Sequence, residues 1–155
     1  MKKFEFSLSH MRDYKERLLD EELGTLQRLK NERDEIAEKI ERLKEEFRAL
    51  SEKSRKAQEK GTTINEIRKY AAQQDNIRMQ LRDLEKALAG AEQLVERQMQ
   101  VVLAANQEVS KLDKLEERQL EEYRHQLNKA EEDRVDEFVA QSLCRSSGAA
   151  ASCPT

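Results

Sequence analysis

The side chains best suited to near-neutral proton transfer, soft-metal ligation or thiol chemistry are His10, His125, Cys144 and Cys153. Zinc and acid–base sites need such groups to converge, at short motif spacings or within one pocket that excludes water. Here His10 and His125 stand singly among charged neighbours, and both cysteines lie in or beside the small-residue stretch that ends the chain. A glycine-rich phosphate loop is also missing. Cys153 is third from the end, so it misses the fourth-from-last position that a prenylation box requires. The thiols read as reduced and solvated, and the sequence points away from an enzyme and from any bound cofactor or metal.

What remains chemically is charge and apolar spacing. Of the residues, 39% are charged, 5% are aromatic and none is Trp, which is a coiled-coil composition rather than that of a globular core. The 29 basic and 32 acidic residues are interleaved, giving a net charge of -3 and no basic face for nucleic acid. Runs such as Glu116–Arg118 and Glu131–Arg134 read first as solvated helix faces with i,i+4 pairing. The sequence has no apolar stretch of membrane-spanning length, and Met1–Glu5 lacks the apolar run of a signal peptide, so a cytosolic protein is expected.

The elements that position these groups follow from one break. Between about Ser7 and Leu143 there is no proline, and Gly24 and Gly90 sit singly inside periodic stretches. The cluster Gly61, Thr62, Thr63, Ile64, Asn65 differs. Gly61 suits the left-handed position after a helix end, and Thr63 with Glu66 has the spacing of a capping box. The pattern predicts a helix over about 7–60, a turn at 61–65 and a helix over about 64–143, with a disordered tail at 146–155. So short a connection makes the two helices antiparallel neighbours in a single coiled-coil domain, 1–145.

Both helices carry a seam at spacings of three and four. In the first it runs Leu8, Arg12, Lys15, Leu19, Glu22, Leu26, Leu29, Arg33, Ile36, Ile40, Leu43, Phe47, Leu50, Ser54 and Ala57, ten of fifteen apolar. In the second it runs Ile67, Tyr70, Gln74, Ile77, Leu81, Leu84, Leu88, Ala91, Val95, Gln98, Val102, Ala105, Val109, Leu112 and Glu116, twelve of fifteen apolar. One antiparallel register pairs them, with residue numbers adding to about 124. It puts Phe47 near Ile77, Leu43 near Leu81 and Arg33 opposite small Ala91. The polar members Glu22, Gln74 and Gln98 lower stability but oppose slipped registers.

The helices are unequal. In this register Leu8 reaches Glu116, which leaves about Gln119 to Leu143 without an intramolecular partner although it keeps an apolar stripe, Leu120, Tyr123, Leu127, Ala130 and Phe138. An exposed stripe of this kind calls for a partner. The seam slips near Leu115, and Phe4 and Phe6, ahead of Ser7 as a helix cap, are placed to fold back on the base of the overhang. The uncharged run Gln98–Gln107 is broader in apolar residues than one seam needs. It reads as a locally wide seam face, with a second binding patch as the alternative.

The opening Phe4-x-Phe6-x-Leu8 with Tyr14 and Lys15, the Gly-Thr-Thr turn, and the block LEERQLEEYRHQLNKAEEDRVDEF from Leu115 to Phe138 together resemble the flagellar export protein FliJ family, over Met1 to about Arg145. The resemblance implies an all-α fold, a long antiparallel two-helix coiled-coil hairpin similar to the central stalk of rotary ATPases, with an overhanging C-terminal helix. It implies a cytoplasmic component of the flagellar type III export apparatus that sits in the hexameric export ATPase ring and links it to the membrane export gate, with an escort role for export chaperones. It also implies a protein held at the flagellar base through its partners and monomeric when free. The ATPase contacts carried over to the overhang are Arg118, Leu120, Glu121, Tyr123, Arg124, Leu127, Arg134, Asp136, Glu137 and Phe138. The gate contacts are Leu43, Leu50, Gln73, Ile77 and Gln80, although polar Gln73 and Gln80 depart from an apolar gate pattern. A structural coiled-coil rod and a prefoldin-like holdase are the alternatives, the latter lacking room in GTTIN for its strands.

Overall fold

The structure, a computed structural model, describes residues 2–150, with side chains described as far as Gly148. Helix α1 spans Ser9–Lys60 and helix α2 spans Ile64–Ala150, and the two pack against each other as an all-α hairpin. The chain divides into two compact units. Glu16–Asn106 form one, and the flanking segments up to Lys15 and from Gln107 onward form the other.

The unit Glu16–Asn106 contains the turn. Gly61 has φ 85°, a left-handed conformation open to glycine and strained for other residues, and its N–H donates to the Gln58 carbonyl at 3.3 Å. α2 then starts with the Ile67 N–H on the Thr63 carbonyl at 3.2 Å. The Glu66 carboxylate accepts from the Thr62 hydroxyl, one residue before the partner that the capping-box spacing predicts. Thr62 is half-buried against the helix start, whereas Thr63 faces solvent.

In this unit every predicted α1 seam residue from Leu19 to Ala57 is buried or half-buried, as is every α2 seam residue from Tyr70 to Ala105. Ile67, next to the turn, is exposed. Deep burial is rare: in this unit Leu26, Ile40 and Val95 come nearest to it, at 8%, 5% and 4% exposure, as expected when a seam has only one facing helix to cover it. The polar seam residues find partners across the hairpin. Gln98 Nε2 donates to the Glu22 carbonyl at 3.1 Å and to the Glu22 carboxylate, and Gln74 Nε2 donates to Ser51 Oγ at 3.2 Å. The Arg78 guanidinium lies 5.3 Å from the centre of the Phe47 ring. These pairs have numbers adding to about 120 to 125, close to the predicted register. Arg33 turns its guanidinium to Asp34 Oδ1, 3.0 Å away on its own helix.

In the flanking unit, α1 begins at Ser9, two residues after the cap the sequence suggests, because the Leu8 carbonyl takes the first helical bond, from the Arg12 N–H at 2.9 Å. α2 continues to Ala150, beyond the end expected near Leu143 and into the stretch expected to be disordered. The hydroxyls of Ser142, Ser146 and Ser147 donate to carbonyls three residues back at 2.8, 2.8 and 3.1 Å, so the small polar residues are accommodated within the helix. Residues 151–155, with Cys153, lie outside the described residues. Cys144 is exposed.

Candidate docking surfaces

The flanking unit is built by a strap. Residues 2–8 precede α1 and lie against α2, with Phe6 buried and the Phe4 ring tilted 47° to that of Tyr123 at a centroid distance of 5.6 Å. The Tyr123 hydroxyl donates to the Lys2 carbonyl at 2.7 Å. Next to the strap, Arg12 Nη1 donates to Glu116 Oε2 at 2.5 Å and its Nε lies 2.7 Å from Asp113 Oδ1. All three side chains retain about a third or more of their exposure, so these pairs, which join the first turn of α1 to α2, contribute on the order of 0–1 kcal/mol. The half-buried set on α2 widens here to Leu112, Asp113, Leu115, Glu116, Gln119 and Leu120, which is where the sequence shows the seam slipping.

The strap shortens the overhang. The sequence leaves α2 unpartnered from about Gln119, yet Leu120 and Tyr123 are half-buried beside the folded-back N-terminus. Beyond it, Leu127 and Ala130 remain half-exposed, and every residue from Glu131 to Gly148 is exposed. Of the other residues assigned to this surface, Arg118, Glu121, Arg124, Arg134, Asp136, Glu137 and Phe138 face solvent.

The apolar stripe also divides. Leu120, Tyr123, Leu127 and Ala130 keep spacings of three and four, but the next position on that face is Arg134. Phe138, 71% exposed, belongs with Val135, Val139 and Leu143, a second face rotated by about 100°, one residue of helical advance. Val135, Val139 and Leu143 are absent from the set read from sequence. Their i, i+4, i+8 spacing is legible there, and following a single stripe through the slip hides it. Around them stand Glu131, Glu132, Asp133, Asp136 and Glu137, so an apolar ridge is set in an acidic segment.

Four of the five residues expected to meet the export gate line one groove. Leu50, Gln73, Ile77 and Gln80 line a depression of about 390 Å³ together with Glu46, Ala49, Lys53 and Asn76, all within Glu16–Asn106. Leu43 lies outside it, two turns of α1 before Leu50. Leu50 and Ile77 are half-buried and the amide-bearing Gln73 and Gln80 are exposed, so the groove offers amide hydrogen-bonding groups beside an apolar floor. One turn further along α1, Arg55 bonds both Glu52, at 2.6 Å, and Glu59, at 2.8 Å. The Arg55 hydrogen bond, then its charge, holds the Glu52 carboxyl below the ordinary value of 4.5.

A sequence profile for the family described as "Flagellar FliJ protein" matches residues 4–148, from the strap phenylalanine to the last residue whose side chain is described. The chain belongs to the flagellar FliJ family. No curated protein and no solved structure matches it. As a FliJ-family protein it is a component of the flagellar export apparatus. Among the described residues no helix is long and apolar enough to cross a membrane. The FliJ match takes in the strap, the acidic apolar ridge and the glutamine-flanked groove alike.

Proposed function

We propose that this FliJ-family chain is the stalk of the hexameric flagellar export ATPase and that α2 beyond Leu127 is the part that docks in the ring. The observation that carries this reading is the ridge Val135, Phe138, Val139 and Leu143. Four large apolar side chains are between 46% and 71% exposed on one face of a helix with no α1 residue beside it. Exposed apolar area of this kind is costly in water and is offset by burial against a partner. Its acidic surroundings complement a basic-lined pore, with Arg134, Asp136 and Glu137 supplying polar contacts around the ridge.

In this reading the groove at Leu50, Gln73, Ile77 and Gln80 takes the cytosolic part of the export gate, so that one hairpin joins the ATPase to the membrane complex. The protein is then monomeric when free, held at the inner face of the flagellar base by its partners, and available to export chaperones. A double substitution, Val135→Asp with Phe138→Asp, should abolish capture of the purified export ATPase while leaving helix content by circular dichroism unchanged. Undiminished capture by the double variant would refute the assignment of the ridge.

A further inference from the structure

A second apolar surface lies in the unit Glu16–Asn106, where the edge of the seam at Leu19, Leu26 and Val102 continues outward onto Leu23, Met99 and Leu103, apart from the gate groove. Leu19, Leu23 and Leu26 from α1 and Met99, Val102 and Leu103 from α2 line a groove of about 310 Å³, with Asn106 contributing polar atoms at one end. The hairpin does not consume this apolar surface. Gln98, Val102 and Ala105 face the α1 seam and are half-buried, whereas Leu23, Met99 and Leu103 are 43%, 51% and 57% exposed. The uncharged run Gln98–Gln107 is therefore wider than the seam requires because part of it faces outward. Gly24 offers no packing reason for that width, since a Cβ there would meet no atom within 4 Å.

Two parallel rows of apolar side chains with a gap between them accept the apolar stripe of a third helix, in the manner of a three-helix bundle. The rims indicate its charge. By helical spacing the α1 rim carries Asp20 and Gln27 and the α2 rim carries Glu96 and Gln100, all exposed, so both rims have an acidic and an amide side chain and neither has a cation at these positions. A second copy of this chain would bring its own exposed ridge, set among Glu131, Glu132, Asp133, Asp136 and Glu137, against those acidic rims and be repelled.

We propose that this groove is a docking site for an amphipathic helix of a partner protein whose apolar stripe is flanked by lysine or arginine. The site is separate from the ATPase-docking ridge and does not depend on it. The test uses the full chain and two synthetic helices with the same leucine stripe, one flanked by lysines and one by glutamates, titrated by calorimetry and by methyl NMR. The lysine helix should bind, with shifts at Leu19, Leu23, Met99 and Leu103, and the glutamate helix should bind at least about tenfold more weakly. Leu103→Gln, at an exposed position, should leave the unfolding midpoint in place and remove binding. The pair Asp20→Lys with Glu96→Lys should exchange the preference between the two helices. No binding of either helix, equal affinities, a preference unmoved by the charge reversal, or shifts confined to residues 135–143 would each overturn the proposal. So would sedimentation showing that the free chain dimerises through a contact that Leu103→Gln breaks.

Discussion

At the scale of single residues, stability rests on few positions because a two-helix seam covers few side chains fully. Ile40 is 5% exposed in the middle of Glu16–Asn106, whereas Met79 is 66% exposed. Ile40→Ala should therefore cost on the order of 2–4 kcal/mol in urea unfolding, and Met79→Ala should stay within about 0.5 kcal/mol. Comparable losses for the two would mean that the seam is not where the burial lies. Glu22 and Gln98 serve a different purpose. They satisfy each other inside the seam, and a slip of either helix by one turn would leave both unpaired. Tyr123 joins two roles, since its ring meets Phe4 and its hydroxyl ties down the Lys2 carbonyl, so the residue taken from sequence as a contact for a partner is first a contact for the chain's own N-terminus.

At the scale of elements, the turn and the register have a shared test. Cysteines at Phe47 and Ile77, in a chain with Cys144 and Cys153 changed to serine, should cross-link within one chain under mild oxidation. Bridges formed only between chains would place the two helices in different molecules. The two-helix pairing was legible in the sequence because a heptad seam is a long repeated signal, and Gly61 interrupts it where only a left-handed residue fits. The start of α1, the end of α2 and the extent of the overhang were less legible. Each turns on a few backbone bonds and on one short strap, such as the Leu8 carbonyl taking the Arg12 N–H or serine hydroxyls folding back onto carbonyls near the end of α2, and these leave no periodic trace. The candidate surfaces divide in the same way. Leu50, Gln73, Ile77 and Gln80 line one groove because residues near the turn in a fixed register are neighbours, whereas Leu43 lies outside it. Val135, Val139 and Leu143 were passed over because Arg134 ends one stripe as the next begins a residue later.

At the scale of the whole molecule, the inequality of the two helices leads from structure to function. α1 has 52 residues and α2 has 87, and the excess of α2 carries the acidic apolar ridge. The strap narrows the part of α2 that needs an outside partner to the residues after Leu127, and that narrowing yields a sharp test. A chain ended after Leu127 retains the turn, both seams, Tyr123 and the strap, and among the described residues it loses only ones that are exposed or, at Ala130, half-exposed. The decisive measurement is its affinity for the purified export ATPase beside that of the full chain, with the unfolding midpoint of each recorded. The account predicts a midpoint close to that of the full chain and no detectable ATPase binding. Full-strength binding by the shortened chain would contradict it.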